Sequence, residues 1–505
     1  MTASSPRADL SPGERIAIMV GILPASMMPG MDTFAVAVAL PRMQGVFSTT
    51  PTEISWVLTA YLVAAAIFTP LYGWLSLRFN RRNLFVLIIC GYASCSILIA
   101  QADSLQEIVL FRFVQGFFGA GFNPLLMQTV LATFPREQQG TAFAWFTTGR
   151  MSGTVVGPLL GGLLTEFFSW RLVFLVNVPL AALALVLVTR YVPGGHAGSA
   201  KRFDFFGFLL LSVGIGALQL FLDQGQRLDW LDSNVIVMLA VLGLVAFYLF
   251  GVHVLTTQNA YVNPNVLRNR EFVIGLIFGF LLNFMIFGYA GLIPPILQNH
   301  MGYPILTTGI VMLPRGIGTI LASLLAGAML LRYPPRPVAA LGIVLIALST
   351  WMMSRFTADV DIGSVMLAVT TQGAGFGFLS VAIMTLSFQS LPASLRAEGT
   401  SVLSLVRRMG SSIGVSVLIT QLARTTQSAR AGLTEGVSLY DERFRNLALP
   451  QSWDVSTIEG LLRLNSLIDK QAEFIAYLHD FRLMTVLMLC LLPLLMLMRS
   501  PSRTN

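Results

Sequence analysis

Apolar stretches of about 20 residues, separated by short polar breaks, recur along almost the whole chain, and a helix of that length crosses a lipid bilayer. They lie near residues 16–40, 53–76, 84–101, 106–130, 140–166, 172–190, 204–222, 233–255, 271–293, 304–330, 337–356, 361–390, 399–421 and 481–498. This pattern predicts an all-α membrane protein with fourteen transmembrane helices. The longest remaining segment, 422–480, mixes charged and apolar residues, which favours an amphipathic helix on the membrane surface or against a partner.

Basic residues are concentrated in alternate loops between these stretches. One set of loops holds Arg78, Arg81, Arg82, Arg136, Arg190, Lys201, Arg202, Arg268, Arg270, Arg332, Arg336 and Arg396. The other short loops hold little beyond Arg42, Arg171, Arg227 and Arg355. Because cytoplasmic loops carry the excess of Lys and Arg, the first set and both termini are predicted to be cytoplasmic. The segment 422–480 then faces the opposite side of the membrane.

The composition agrees with a chain that lies mostly in lipid. Only 11% of the 505 residues are charged, against about 25% in soluble domains. The net charge of +8 comes from the short loops and therefore indicates topology and not a nucleic-acid partner. The three cysteines lie in apolar stretches and the four histidines lack ligand spacing, so we expect no disulfide framework, metal site or cofactor. The first apolar stretch lacks a small-residue cleavage site and is predicted to remain as an anchor.

The chain contains an internal repeat, seen when it is aligned with itself at an offset of 257 residues. The offset pairs Gln115 with Gln372, Gly116 with Gly373, Met127 with Met384, Pro135 with Pro392, Arg150 with Arg407, Gly153 with Gly410 and Gly157 with Gly414. Two halves in parallel orientation are typical of the major facilitator fold. We therefore predict six-helix bundles at 1–202 and 258–505, joined by two additional helices at 203–257.

One stretch, GRMSGTVVGPLLGG at 149–162, combines features that would make a poor helix in water. It has glycines at steps of four, a proline and an arginine: Gly149, Gly153, Gly157, Gly161, the adjacent Gly162, Pro158 and Arg150. In lipid, small residues at this spacing let two helix backbones approach closely, and the proline bends the helix. The glycines alone are also compatible with simple packing. A mid-span charge such as Arg150 indicates a water-accessible pathway.

GTVVGPLLGG resembles the antiporter motif of proton-driven drug exporters in the major facilitator superfamily. Further motifs match the fourteen-span branch of these exporters: DTFAVAVALP (32–41), LFRFVQGFFGAG (110–121), SWRLVFLVNVP (169–179), LQLFLDQGQRLDW (218–230), VNPNVLRNREF and SLVRRMGSSIG. The chain is thus similar to the drug:proton antiporter family of the EmrB/QacA type. The resemblance implies proton-coupled multidrug efflux by alternating access in a bacterial inner membrane. It also implies a periplasmic adaptor (membrane-fusion) protein and an outer-membrane channel as partners, with 422–480 as the candidate contact.

Two other functions remain open from the sequence. The first is a dedicated proton-driven exporter of a single metabolite, fatty acid or lipid-like compound, which would have the same architecture. The second is an integral membrane enzyme, which is disfavoured because the chain shows no reactive constellation, metal-spaced ligands or phosphate-binding loop.

Asp32 is the only carboxylate in the first predicted span and the leading candidate for proton coupling. Such a group can load and release a proton if alternating access changes its solvation; the alternative is a carboxylate permanently paired with an arginine. Arg112, the arginine of the fourth-helix motif, would either tune the proton site or bond backbone carbonyls at a helix crossing. Glu166 and Asp223, near the outer ends of their spans, are secondary acidic candidates.

Cations outnumber anions among the predicted spans. The candidates for a substrate cavity are Arg150, Arg315 and Arg407, with Phe34, Met31 and Phe284 as apolar lining. We infer a preference for hydrophobic, weakly acidic amphiphiles. Several of these residues could equally be snorkelling arginines or ordinary packing residues.

The loop after the second predicted span, GWLSLRFNRR, is similar to the conformational-gate loop of the same superfamily. Its candidates are Gly73, Arg78, Arg81 and Arg82. Leu77 stands where the family pattern has an acid, and Asn80 stands where it has a glycine. A latch that relies on that acid must therefore be built differently in this chain.

Overall fold

The computed structural model describes residues 11–49, 51–192, 194, 203–225, 228, 230–257, 264–435 and 457–496, and every regular element in these ranges is helical. The helices of residues 1–202 are α1 Pro12–Phe47, α2 Pro51–Phe68, α3 Leu71–Arg78, α4 Arg81–Gln101, α5 Leu105–Gly119, α6 Phe122–Thr133, α7 Gln139–Phe167, α8 Trp170–Leu175 and α9 Asn177–Tyr191. They are followed by α10 Phe205–Gln224 and α11 Asn234–Thr256. The remainder are α12 Pro264–Arg268, α13 Arg270–Pro295, α14 Ile305–Met329, α15 Pro335–Met353, α16 Ile362–Gln389, α17 Arg396–Glu435, α18 Ile458–Leu489 and α19 Leu491–Met496.

Within the described residues, twelve helical segments are long and apolar enough to cross a membrane. A thirteenth is obtained if α2 and α3, which bend by 53° at their junction, form one span. The predicted span 140–166 corresponds to α7, which has 29 residues but is not among the thirteen. Its glycines, together with Arg150 and Glu166, lower its apolar content.

The prediction for 422–480 was wrong in its boundaries. α17 continues to Glu435 and α18 begins at Ile458, so both ends of the segment extend spanning helices and are not a separate surface helix; 436–456 lies outside the described residues. Arg430 holds the two extensions together, with Nε 3.0 Å from Asp469 Oδ1 and Nη2 donating to Asn465 Oδ1 at 2.8 Å. Helix-forming polar residues continue a helix beyond the point where hydropathy falls, and hydropathy alone does not detect this.

Polar side chains fix where several helices begin. Ser11 and Glu14 form a reciprocal capping box on α1, with Glu14 N donating to Ser11 Oγ and Ser11 N donating to Glu14 Oε2. Asp361 caps α16 by accepting hydrogen bonds from Ser364 Oγ at 2.7 Å and Ser364 N at 2.9 Å. Both bonds lower the pKa of the exposed Asp361 carboxyl, and the bond from the Ser364 hydroxyl has the larger effect. The cap places the start of α16 at a polar boundary.

One helix crossing occurs twice in the molecule. A Cβ on Gly153 of α7 would collide with the backbone of Met27 in α1, and a Cβ on Gly410 of α17 would collide with the backbone of Phe280 in α13. One turn further on, Gly157 and Gly414 lie in the same way against the Met31 and Phe284 backbones. The pairs found at the 257-residue offset therefore occupy matching positions in two helix pairs.

The helices α10 and α11 lie at the side of the molecule. They pack against each other, and α10 also contacts α2 and α17. Asp204, just before α10, is 2.8 Å from Nε2 of His253 in α11. Most side chains of α11 are not covered by other parts of the protein, as expected of a helix that faces lipid.

Candidate functional site

The centre of the site is a buried ion pair between α1 and α5. Asp32 and Arg112 are both fully buried, and Arg112 Nη1 lies 2.5 Å from Asp32 Oδ2. Asn177, at the start of α9, donates to the other carboxylate oxygen at 2.7 Å. Such charge-assisted hydrogen bonds stabilise the ionised carboxylate in an interior that would otherwise exclude it.

Arg112 holds its position through several further contacts. Its Nε donates to the Val57 carbonyl of α2 at 2.9 Å, and Nη1 also donates to Gln115 Oε1 at 2.7 Å. The guanidinium carbon lies 4.5 Å from the centroid of the Tyr61 ring, which is within cation–π distance. Arg112 therefore bonds a backbone carbonyl at a helix crossing, which was one of its two predicted roles, and it also contacts Asp32, the candidate proton site.

Sequence reasoning did not single out Asn177, Gln115 or Ser96 as site residues. Gln115 Nε2 donates to Ser96 Oγ of α4 at 2.9 Å, so the network spans four helices of this half besides α1. Asn177 and Gln115 belong to the motifs SWRLVFLVNVP and LFRFVQGFFGAG, and polar side chains in otherwise apolar motifs were the available signal.

The glycines of α7 bring it onto the segment of α1 that carries Asp32. Gly153, Gly157 and Gly161 would each place a Cβ against the backbone of Met27, Met31 or Ala35, respectively. A Cβ on Gly157 would lie 2.7 Å from the Met31 oxygen, and a Cβ on Gly161 would lie 2.5 Å from the Ala35 oxygen. The distance between helices α1 and α7 at Asp32 is thus set by residues that lack side chains.

Three other members of the same stretch have different surroundings. A Cβ on Gly149 would collide with Ser26 Oγ, whereas one on Gly162 would meet only Val38 Cγ1 at 4.0 Å. Pro158 lies on the outer surface of the protein. Gly162 and Pro158 therefore do not belong to the close contact with α1.

The matching helices α7 and α17 each carry an arginine at the same position of the repeat. Arg150 and Arg407 interact repulsively, and the Nε atom of each is buried with no hydrogen-bond partner within the described residues. Arg408, beside Arg407, has the same kind of buried Nε atom and interacts with Tyr61. A buried guanidinium without an acidic partner favours the binding of an anion.

Arg315 in α14 has a different environment. Its guanidinium carbon lies 4.7 Å from the Tyr289 ring centroid and 5.6 Å from that of Phe376. Nη2 donates to the Ile286 carbonyl at a long 3.5 Å. Arg315 is therefore stabilised mainly by aromatic faces.

The apolar candidates divide into two groups. Phe34 of α1 stacks on Phe287 of α13 with ring centroids 6.3 Å apart, which joins the two halves of the chain. Met31 and Phe284 are 4% and 8% exposed, and their backbones lie under Gly157 and Gly414. Phe34 thus lies between the halves, whereas Met31 and Phe284 pack at the two helix crossings.

The gate-loop residues extend from the first turn of α3, which contains Gly73, to the start of α4. Gly73 is buried, Arg78 and Arg82 are exposed, and the Nε atom of Arg81 is buried without a hydrogen-bond partner among the described residues. Asn80, in the place of the family glycine, caps α4 by accepting from Arg82 N at 3.0 Å. Its side chain therefore has a local structural task at this junction.

Of the two secondary acidic candidates, the structure describes the side chain of Glu166 only. Glu166 is exposed near the end of α7. The side chain of Asp223 lies outside the described residues.

Comparison with curated proteins gives relatives that extend over most of the chain. The multidrug resistance protein EmrY of Escherichia coli, whose function is described as probable, is 26% identical over 99% of this chain and 98% of its own length. The fatty acid resistance protein FarB of Neisseria gonorrhoeae is 28% identical over 94% of both chains. The multidrug export protein EmrB of Escherichia coli is 28% identical over 85% of this chain and 84% of its own.

Solved structures share the fold at low sequence identity. The proton:xylose symporter XylE superposes with a TM-score of 0.61 at 13% identity, over 96% of this chain and 97% of its own. The human organic anion transporter MFSD10 superposes with a TM-score of 0.60 at 12% identity, over 95% and 100%. The sequence profile of the Major Facilitator Superfamily matches residues 22–415. The chain therefore belongs to the Major Facilitator Superfamily.

Proposed function

We propose that the protein is a proton-coupled efflux transporter that exports hydrophobic and amphiphilic compounds across the cytoplasmic membrane by alternating access. The observation that carries this proposal is the buried Asp32–Arg112 pair between α1 and α5. Asp32 lies on the part of α1 that the glycines of α7 cross. Relatives named for multidrug resistance, multidrug export and fatty acid resistance support export as the direction of transport. The superfamily consists of transporters, so the chain is not an enzyme.

Protonation of Asp32 is the proposed coupling step. An ionised Asp32 holds Arg112 and Asn177 and closes the contact between α1, α5 and α9. A proton on the carboxylate removes the charge that Arg112 neutralises and leaves a buried cation without its partner, which costs about 3–5 kcal/mol. The protonation state thus biases the equilibrium between two packings of α1.

The proposed topology retains fourteen spans, with both termini in the cytoplasm. α7 supplies the fourteenth, since its 29 residues extend about 43 Å and it packs along α1. Two six-helix bundles, 1–202 and 258–505, would move against each other, with 203–257 as an added pair. The recurrence of the α1–α7 crossing in α13 and α17 supports the division into halves.

Arg150, Arg407 and Arg315, with Phe34, form the proposed binding surface for the substrate. Two guanidinium groups from opposite halves, each with a buried Nε atom that has no hydrogen-bond partner among the described residues, favour weakly acidic amphiphiles over organic cations. A vesicle assay with hydrophobic acids and lipophilic cations of similar size tests this preference. Export of the acids alone supports it, and efficient export of cations with no transport of acids contradicts it.

A dedicated exporter of one fatty acid or lipid-like compound is the second candidate. It is favoured by the 28% identity to FarB, which is named for fatty acid resistance. The same substrate panel separates the two functions, because a dedicated exporter would accept one chemical family and reject unrelated amphiphiles.

A periplasmic adaptor and an outer-membrane channel are proposed partners. The candidate contact is the pair of helical extensions joined by Arg430, Asp469 and Asn465. Co-purification of an adaptor with the full chain, and its loss after shortening of both extensions, would support this assignment.

Export in inverted membrane vesicles tests the main proposal. A pH gradient that is acidic inside the vesicle should drive substrate uptake into the lumen, and an uncoupler should stop it. Uptake that persists without a gradient, or that requires ATP, would contradict proton-driven export.

A further inference from the structure

Asp480 of α18 is a buried carboxylate that the site described above does not use. Its side chain is fully buried, and neither carboxylate oxygen has a hydrogen-bond partner within the described residues. The neighbouring side chains of the same helix, Tyr477, Phe481 and Met484, are also buried. An ionised carboxylate in such surroundings would cost several kcal/mol, and a neutral carboxylic acid is the form that this environment accepts.

A line of polar side chains on α18 extends from the protein surface toward Asp480. Glu473, Tyr477 and Asp480 lie on one face of α18 at helical spacing. The Glu473 side chain is 38% exposed, whereas Tyr477 and Asp480 are 2% and 0% exposed. Tyr477 Oη donates to Glu473 Oε1 at 3.5 Å, and Tyr477 interacts electrostatically with Asp480. These three side chains, the polar stripe of α18, therefore run from water into the interior over about 10 Å of helix.

The segment that contacts Glu473 from outside α18 has an unusual helical conformation. After the consecutive prolines of α13, Ile296–His300 is a π-helix, a form that is often found at functional sites. It brings His300 Nε2 within 3.3 Å of Glu473 Oε2, with the His300 ring 5.5 Å from that of Tyr477. At this distance the two side chains form an ion pair when the His300 ring is protonated.

Among the described residues of α18, His479 and Arg482 flank Asp480 in sequence, but both are exposed whereas Asp480 is buried. Lys470 interacts with His300 from the same helix. On α17, Arg430 pairs with Asp469 near the far end of the extension. On α15, the polar contact to α18 joins two hydroxyls, Thr350 and Thr485, at 2.8 Å. The short α19 carries no titratable residue.

We propose that Asp480 is a second proton-binding site of the transporter, which exchanges its proton with water through Glu473 and Tyr477. The step is simple: the carboxylate takes up one proton to form the acid and gives it back when the packing of α18 opens. Phe481, next to Asp480, lies 6.5 Å from the ring of Tyr289, which in turn faces Arg315. Movement at the proposed substrate surface would therefore reach Asp480 through these two rings. This coupling role rests on the proton-driven export proposed above.

Infrared difference spectroscopy of the purified full chain tests the site without reference to transport. The wild type should show a protonated-carboxyl band that is lost on alkalinisation, and Asp480→Asn should remove this band. Asp103→Asn is the control, because the Asp103 side chain is 92% exposed and lies outside the proposed proton and partner sites. A wild type without such a band, or an unchanged band in Asp480→Asn, would overturn the proposal.

Transport in proteoliposomes tests the coupling role. Asp480→Asn should export with one proton fewer per substrate, whereas Asp103→Asn should keep the wild-type ratio. Glu473→Gln should keep the ratio and slow the loss of the infrared band after an alkaline jump. Wild-type stoichiometry in Asp480→Asn would refute the coupling role. Absence of gradient-driven export in the wild type would instead refute the proposed function and leave the infrared result intact.

Discussion

At the scale of single residues, the Asp32–Arg112 pair is held by neighbours on other helices. Asn177, Gln115 and the Val57 carbonyl each satisfy part of the pair, so the two charges are stable only in this geometry. A buried ion pair contributes little net stability compared with apolar residues, whereas loss of one partner is costly. The pair is therefore better explained by a conformational task than by a need for stability.

Removal of one charge of the Asp32–Arg112 pair should destabilise the protein more than removal of both charges. We expect Arg112→Leu to destabilise the protein by about 3–5 kcal/mol, because it leaves Asp32 ionised and buried without a cation. The double variant Asp32→Asn with Arg112→Leu should recover much of this loss. The measurement is the unfolding midpoint of each variant in detergent.

Arg171→Leu is the control for that series. Arg171 pairs with Asp103 at 3.5 Å, but the two side chains are 37% and 92% exposed. A surface pair of this kind contributes about 0–1 kcal/mol, so a small effect is expected. If Arg112→Leu were as mild as Arg171→Leu, the buried pair would not be holding the helices together.

At the scale of elements, the close approach of α1 and α7 depends on particular glycines. Gly157→Ala would place a Cβ 2.7 Å from the Met31 oxygen, so the helices must separate. We expect a loss of about 1–3 kcal/mol in stability, as for other overpacked sites, and a strong loss of transport. Thermal unfolding and vesicle uptake measure the two effects.

Gly162→Ala and Gly414→Ala complete this comparison. Gly162 lies in the same stretch with only Val38 at 4.0 Å, so its variant should transport like the wild type. Gly414 occupies the matching position on α17, and its variant should fail as Gly157→Ala does. Equal behaviour of Gly157→Ala and Gly162→Ala would contradict the role assigned to the crossing.

The sequence predicted the helical membrane fold and its superfamily, because apolar stretches and short motifs are local features. It did not predict how far the last helices extend, since polar residues such as Arg430 and Asp469 continue a helix outside the apolar zone. Nor did it identify Asn177 as a partner of Asp32. That contact joins residues 145 positions apart, and only the packing of α9 against α1 creates it.

At the scale of the whole molecule, polar contacts join the two halves of the chain at one end. Gln128 Nε2 donates to Thr400 Oγ1 at 3.1 Å, and Thr141 Oγ1 donates to the Gly327 carbonyl at 3.2 Å. These residues lie beside the loops that contain Arg136 and Arg332, which the charge pattern predicts to be cytoplasmic. In the proposed topology, the halves are thus closed toward the cytoplasm in this conformation.

A disulfide between Gln128→Cys and Thr400→Cys should lock that closed end. In a background without Cys90, Cys95 and Cys490, oxidation should stop transport and a reductant should restore it, because the cytoplasmic side must open to load substrate. The two single-cysteine variants are the controls. Full transport in the oxidised, cross-linked protein would show that the halves need not separate there.

The central claim is that protonation of Asp32 drives the movement of α1 against its neighbours. Its most direct test compares Asp32→Asn with the wild type in two assays on the same proteoliposomes: accumulation driven by a pH gradient, and substrate exchange without a gradient. The account predicts that Asp32→Asn loses gradient-driven accumulation and retains exchange, because the binding surface remains while the titrating group is gone. Undiminished accumulation by Asp32→Asn would contradict the account.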